Sequence, residues 1–587
     1  MIFSRNRVRA SGLGYGLAFC IGYMVCVAPA ARALEQASFI DQVSGRIQNL
    51  IALQEEGTGF ICRGELICGL KWVPLFYEER LFAPIWLDGH GMRPMAQSLI
   101  RAIEQSDHDG LQPGDYHLSA IRAMLDEMQT QKVAPSEQDA AQWAEFELLL
   151  TDAFLLLSSH LASGRVSPET LHTDWLLSDH SVDIMAALHH VATEDQLDRV
   201  IDKLAPVHLG YAALKAALWH MRSIEQQGGW PLVEAGATLR PGDRDTRIVA
   251  LRDRLRSSGD MPAAEQDPEI VDFFDPLLEE GLKRFQERHG LEPDGHVGAK
   301  TLAELNVSVQ ERIRQIEINL ERWRWMPHDL GERYIEVNTA DFSLRVMDAG
   351  QTALRMRVVV GRPARRTPVF SSPMTYMVVN PYWTVPYKIA VEDILPKVVE
   401  DASYLERQGI KVYHGWDEDA PAMDPHYIDW QNYGKFNFPF RLVQDPGPTN
   451  SLGRLKFMFP NHFAVYLHDT PNRALFGRVQ RDFSSGCIRV EDAVALATYL
   501  VKDDSEWSVE RLNNVIGRKR QQIIRFQQPI SVHLFYMTAW VDESGTLQFR
   551  KDIYKRDTKL DRALKLRPPS AIPSVEAATP TSKRRSS

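Results

Sequence analysis

Apolar residues recur at three- and four-residue spacing from about residue 38 to 225, as in AAQWAEFELLLTDAFLLLSSHLASGR (140–165) and YAALKAALWHMRSIEQ (211–226). That spacing lines one helical face and predicts an α-helical domain, with DHDGLQPGDY (107–116) as a turn between helices. GGWPLVEAGATLRPGDRD, within 227–246, has the Gly, Pro and charge of a linker. A small unit over 241–307 follows, in which IVALRDRLRSSG and EEGLKRFQERHGLEPDGHVGAKTLAELN predict amphipathic helices around a PDG turn. A linking helix, QERIRQIEINLERWRWMP, lies within 308–331 and ends at Pro327. From residue 332 the period changes from 3.6 to 2. YIEVNT (334–339), FSLRVMD (342–348) and LRMRVVVG (354–361) alternate apolar with polar residues, so 332–555 reads as mostly β. A helical stretch, VEDILPKVVEDASYLERQGI, opens an insertion over 391–445. The fold class is multidomain α+β, and the Pro/Ser/Thr-rich segment 567–587 is expected to be disordered.

Composition alters this picture in three places. A chain of 587 residues is too long for one core, and its net charge of -10 provides no basic footprint for nucleic acid. At the start, Arg5, Arg7 and Arg9 precede an apolar run from Leu13 to Ala28, and Ala31-Arg32-Ala33 closes the segment. This order reads as a signal peptide cleaved after Ala33, or else as an uncleaved anchor; either way the bulk of the chain is expected outside the cytoplasm, in the periplasm. Cys20 and Cys26 belong to that segment. Among the other three cysteines, Cys62 and Cys68 are close enough in sequence to close a small disulfide loop in an oxidising compartment. Their neighbourhood lacks the further ligands a metal site needs. Cys487 is left alone, and an unpaired thiol in an exported protein is either catalytic or deeply buried.

Its surroundings, LHDTPNRALFGRVQRDFSSGCIRVEDA (467–493), favour chemistry. FAVYLH (463–468) predicts a strand ending at His468, with His462 on the same strand assigned to packing. VEDAVALATYLVK (490–502) predicts a helix with Glu491 and Asp492 in its first turn. Cys487 would then enter a helix N-terminus, where the dipole favours the thiolate. Gly486 removes bulk beside the sulfur, and successive N–H groups in SSGC suit a developing oxyanion. His468 is the near candidate for the base. No serine has a lysine three residues on, and HExxH is absent, which argues against penicillin-type serine enzymes and that metallopeptidase class.

HDTP followed by SSGCIRV resembles the active-site signature of the L,D-transpeptidases. VGRPARRTPVFSS (360–372), NPYWTVPYKIAVEDILPKV (380–398) and PGPTNSLGRLKFMFPN (446–461) occur in the order of the longer Gram-negative members. FYEERLFAPIWLD, HLASGRVSPETL and NLERWRWMP look like that group's helical scaffold domain and its link to the catalytic domain. Phe285, Gln286, Gly290, Leu291, Asp294, Gly295, Gly298 and Thr301 resemble the three-helix peptidoglycan-binding module, although the same residues also suit a plain turn with caps. Across nearly the whole mature chain, the sequence is similar to the YcbB-like L,D-transpeptidases, with scaffold, peptidoglycan-binding module and YkuD-type catalytic domain.

The resemblance implies a cysteine acyltransferase that forms 3-3 cross-links between peptidoglycan stem peptides. The donor is a tetrapeptide and the acceptor a diaminopimelate amine; no cofactor or metal is needed, and carbapenems are covalent inhibitors. Other cell-wall enzymes would supply the tetrapeptides. Cys487 is the nucleophile and His468 the acid/base, oriented by a carbonyl just after it, with the Gly486 and Cys487 N–H groups as oxyanion donors. Arg489 either orders the site or contacts a substrate carboxylate. The Asp469 side chain either stabilises a protonated His468 or caps a turn. Ser484, Ser485, Trp383 and Tyr466 are implied substrate-binding positions, Trp383 and the 391–445 insertion as a cap over the cleft. Many relatives carry SHGC where this chain has Ser485, which leaves His468 as the sole nearby base. The alternatives are an L,D-carboxypeptidase, an enzyme exchanging D-amino acids at the same thiol, and a noncatalytic peptidoglycan-binding protein.

Overall fold

The computed structural model describes residues 39–53, 60–130, 137–176, 182–194, 196–262, 270–417 and 419–566. The expected signal peptide and the expected disordered tail lie outside the described residues. The first core is helical and forms around Glu137–Ser163. That helix is apolar on all sides, so it is covered on all sides. Asp139–Ser163 is long and apolar enough to cross a membrane, yet 94% of its most apolar window is buried inside the protein. Its buried carboxylates are satisfied there. Glu147 accepts bonds from Ile85 N (2.5 Å), Trp86 N (3.1 Å) and the Tyr77 hydroxyl (2.9 Å). Asp152 accepts from Gly69 N (2.6 Å), Cys68 N (3.1 Å) and His117 Nε2 (2.7 Å).

The expected Cys62–Cys68 disulfide is absent, and both thiols are free. Phe60–Cys62 and Glu65–Ile67 form a hairpin in which Cys62 opposes Glu65 and Phe60 opposes Ile67. Cys68 continues past Ile67, away from Cys62, so the two Cα atoms are about 10 Å apart along the ribbon. A disulfide needs Cα atoms within about 7 Å. Each sulfur instead lies 3.6 Å from a carbonyl, that of Glu145 for Cys62 and that of Leu66 for Cys68.

The small unit contains helices Arg247–Ser257, Pro276–Arg288 and Ala299–Leu305 around its own core. Gln286 is fully buried and ties its turn together. Its Nε2 donates to Asp294 Oδ1, the His296 carbonyl and Thr301 Oγ1, while its Oε1 accepts from Gly295 N. Helix Val309–Arg324, opened by a Ser308/Glu311 capping box, runs between helix Leu209–Gln226 of the first unit and the C-terminal helix Arg556–Leu564.

Beyond it the alternating segments form strands Arg333–Asn338, Ser343–Asp348 and Gln351–Gly361. The sheet runs Leu455–Met458, Leu467–His468, Ile488–Val490, Gln351–Gly361, Ser343–Asp348, Arg333–Asn338, Gln522–Phe535 and Val369–Val379. Val369–Val379 also pairs with Leu455–Met458, which closes the sheet into a barrel with no free edge along this circuit. Trp175–Leu176, from the helical region, joins Val369–Phe370 in parallel register. The insertion builds a separate four-stranded sheet, ordered Trp383–Thr384, Phe440–Gln444, Ile410–His414 and Ala422–Met423. It has its own core of Ile394, Leu395, Leu405, Val412, Trp430 and Phe440.

Candidate active site

His468 and the residues around Cys487 come together through sheet register. Leu467–His468 pairs in parallel with Ile488–Val490, Leu467 opposing Ile488 and His468 opposing Arg489. Leu467, Ile488 and Val490 point into the barrel core, so alternation turns Tyr466, His468, Cys487 and Arg489 to the opposite face. The expected strand over 463–468 is much shorter than its sequence suggests. Ala464 adopts a left-handed backbone (φ 54°), and Asn461 gathers the loop by accepting from Phe463 N and Val465 N and donating to the carbonyls of Phe459 and Val465. His462 is exposed on this loop, not packed on a strand.

The helix expected at Cys487 is also displaced. Strand Ile488–Val490 follows the cysteine, and the helix begins at Ala493 with Asp492 as its N-cap. The helix dipole therefore does not act on the sulfur, and other groups do. Burial pushes the thiol above its ordinary value. The Tyr466 N–H and hydroxyl, with the charges of Lys456 and Arg489, pull it back. Burial raises the Tyr466 hydroxyl as well, so it remains a donor to sulfur. The sulfur lies 3.9 Å from the Ala464 carbonyl.

His468 Nδ1 is 2.5 Å from the Asp469 carbonyl. A carbonyl only accepts, so Nδ1 carries the proton and Nε2 presents a lone pair. Burial, reinforced by the positive charge of Arg489, holds the imidazole down to about 3, so the free protein has a neutral ring. The Asp469 side chain plays no part in this. It packs against Gly453, accepts from Arg454 N (2.9 Å) and pairs with Arg473 (2.8 Å).

The turn before Cys487 is held from behind. Ser484 Oγ donates to the Cys487 carbonyl (2.5 Å) and accepts from Gly486 N (3.1 Å). That bond occupies one of the two expected oxyanion donors and leaves the Cys487 N–H. Gly486 adopts φ 116°, a region that favours glycine. Its carbonyl accepts from Thr367 Oγ1 (2.8 Å), which in turn accepts from Gly361 N (2.9 Å). The exposed Ser485 accepts from Arg365 (2.8 Å), and Arg365 also pairs with Glu392 (2.5 Å) and with Asp393 of the insertion. Trp383 is packed against the insertion's own core, an environment that satisfies it as a structural residue.

Sequence reasoning missed Lys456, Thr367 and Asn461. Lys456 had a readable signal, a lone cation at the outward position between core residues Leu455 and Phe457. Thr367 acts through the Gly486 carbonyl more than a hundred residues away and had none, whereas Asn461 acts through the neighbouring backbone of Phe459, Phe463 and Val465. Among the described residues, no cluster of His, Cys, Asp and Glu has the arrangement of a metal site.

Comparisons agree with this architecture. Residues 71–218 match a family described as "Scaffold domain", 244–305 a "Putative peptidoglycan binding domain", and 332–510 the "L,D-transpeptidase catalytic domain" of the YkuD type. A Haemophilus influenzae protein named "Putative L,D-transpeptidase" is 36% identical over 250 residues, covering 43% of this chain and 49% of that protein. The chain thus spans about half the length of this curated relative. Among solved structures, an Ldtfm-avibactam carbamoyl enzyme is 10% identical, covering 39% of this chain and 64% of its own (TM-score 0.16). An L,D-transpeptidase from Xylanimonas cellulosilytica is 14% identical, covering 51% and 99% (TM-score 0.15). At those scores the likeness carries no argument. Scaffold, peptidoglycan-binding and YkuD-type catalytic domains follow one another along this chain in the order of the YcbB-like L,D-transpeptidases.

Proposed function

We propose that this protein is a peptidoglycan L,D-transpeptidase that forms 3-3 cross-links through a thioester on Cys487. The observation that carries the reading is sheet register in a YkuD-type domain: His468, its Nδ1 proton bonded to the Asp469 carbonyl, ends one strand, and Cys487 immediately precedes the strand paired with it. Cys487 Sγ attacks the carbonyl of the donor's third residue while His468 Nε2 takes the thiol proton. The Cys487 N–H stabilises the oxyanion. Collapse of the tetrahedral intermediate breaks the amide bond, His468 returns the proton to the leaving nitrogen, and D-alanine departs. The diaminopimelate amine of a second stem then attacks the thioester, gives its proton to His468, and the sulfur is released and reprotonated.

Carbapenems fit the same thiol as ring-opening acylating agents. The basic-apolar-small start of the sequence supports export to the periplasm, and the small helical module supports attachment to peptidoglycan. The test is incubation of residues 34–587 with purified disaccharide-tetrapeptide, read by mass spectrometry against Cys487→Ala. A cross-linked dimer with loss of D-alanine, abolished in the variant, is expected. Tripeptide without dimer would make water the acceptor, and unchanged substrate would remove the reading.

A further inference from the structure

Lys456, His468 and Arg489 directly oppose one another across three adjacent strands, Lys456 facing His468 and His468 facing Arg489. Opposed residues share a face, so a cation stands on each side of the imidazole. Beyond them the row ends in Val378 beside Lys456 and Val359 beside Arg489. Neither cation has an ion pair or a hydrogen bond among the described residues, and Arg489 Nε is buried with no partner. Lys456 Nζ instead lies 4.1 Å from the centre of the Tyr466 ring, whose hydroxyl bonds Cys487. The adjacent acid, Asp469, is committed to Arg454 N and Arg473.

Desolvated charges are normally paired, because an unpaired one forfeits hydration without compensation. A pair of such cations beside a nucleophile therefore points to an anion that arrives with the substrate. The thiolate alone does not explain both, since it is a single charge that burial opposes. In the proposed donor stem the scissile amide joins the third residue to a terminal D-alanine, whose carboxylate carbon is two bonds from the leaving nitrogen. That permanent charge must lie beside the reacting carbonyl.

We propose that Lys456, together with Arg489, binds the free terminal carboxylate of the donor stem and so selects donors that end one residue beyond the scissile bond. The assignment rests on the transpeptidase reading. A donor with a further residue, or with a terminal amide, presents a neutral group there and leaves both cations unmatched.

The test compares disaccharide-tetrapeptide with the same compound bearing a terminal carboxamide, in the wild type, Lys456→Met and Lys456→Arg. The wild type is expected to favour the carboxylate by about a hundredfold in kcat/KM. Lys456→Met should slow both donors through the thiol and slow the acid much further, so that most of the preference is lost, and Lys456→Arg should recover it. Equal wild-type rates on the two donors overturn the proposal, with no variant needed. So does an equal loss on both donors in Lys456→Met, because Lys456 would then act on the thiol alone. Absence of any Cys487-dependent product from either donor removes the transpeptidase reading itself, and this assignment with it.

Discussion

One hydrogen bond decides what His468 can do: with Nδ1 bonded to the Asp469 carbonyl, only Nε2 can take a proton. Because burial holds this ring down to about 3 and holds the Cys487 thiol above its usual value, the resting pair is neutral rather than thiolate and imidazolium. Alkylation of Cys487 by iodoacetamide should therefore keep rising through pH 9; a plateau beginning near neutrality would indicate a preformed ion pair. Asp469 was open from sequence alone, because a carboxylate next to a histidine suits either an electrostatic or a structural part. The structure turns it toward Arg454 and Arg473. Asp469→Ala should cost about 1–2 kcal/mol of stability, measured by urea unfolding, and leave the pH dependence of alkylation unchanged.

At the scale of elements, the nucleophile turn owes its shape to a segment more than a hundred residues earlier. Thr367 is fully buried and joins Gly361 N to the Gly486 carbonyl. Thr367→Val keeps the volume and strands both backbone groups, so a loss of about 2–5 kcal/mol is expected, with Cys487 reactivity falling even where the protein remains folded. The long alternating strands from residue 333 onward were legible because one face fills the barrel. The two short strands at the site were not. Leu467–His468 is cut short by the left-handed Ala464 and the Asn461-centred loop, and Ile488–Val490 falls on the loop and the first residue of the helix expected over 490–502. Residues that touch the sulfur could be picked out from motif spacing, whereas those that hold its loop are recorded only in tertiary contacts. Arg362 and Arg365 show the same limit. They join the nucleophile region to Glu392 and Asp393 of the insertion, and nothing local in sequence pairs them.

For the whole molecule, several histidines are buried as neutral rings. Burial pushes His160 and His468 down to about 3 and His172 to about 4, against an ordinary value near 6.5. For each, the unfolded ring binds a proton that the folded ring refuses, so stability is retained above about pH 6.5 and falls as pH drops from there toward 3–4. Glu147, pushed up to about 7 by burial, partly opposes this between pH 7 and 4.5. His289 is held down by burial as well, so the unfolded chain binds more protons than the folded one near pH 5, and stability should decline there by a few kcal/mol per pH unit. Urea midpoints at pH 7 and 5.5 check both sign and size.

The order of units along the chain was legible from the change of hydrophobic period. The seam between them was not, because it is built of buried arginines that a composition count places on the surface. Arg165 bonds the carbonyls of Leu564 and Leu566, Arg314 pairs with Asp561, Arg322 with Asp557, and Arg556 with Asp174. The partners on one side come from the last described helix and, in Leu566, from just beyond it. Before that helix arrives, Arg165 still has Asp115 and Arg314 still has Glu317, whereas Arg322 and Asp174 await the charged partners that the helix supplies. Chains halted before residue 550 should be digested more readily around Asp174 and along helix Val309–Arg324 than chains that include residues 556–566, as limited proteolysis would show. The last described helix thus completes contacts of elements made hundreds of residues before it.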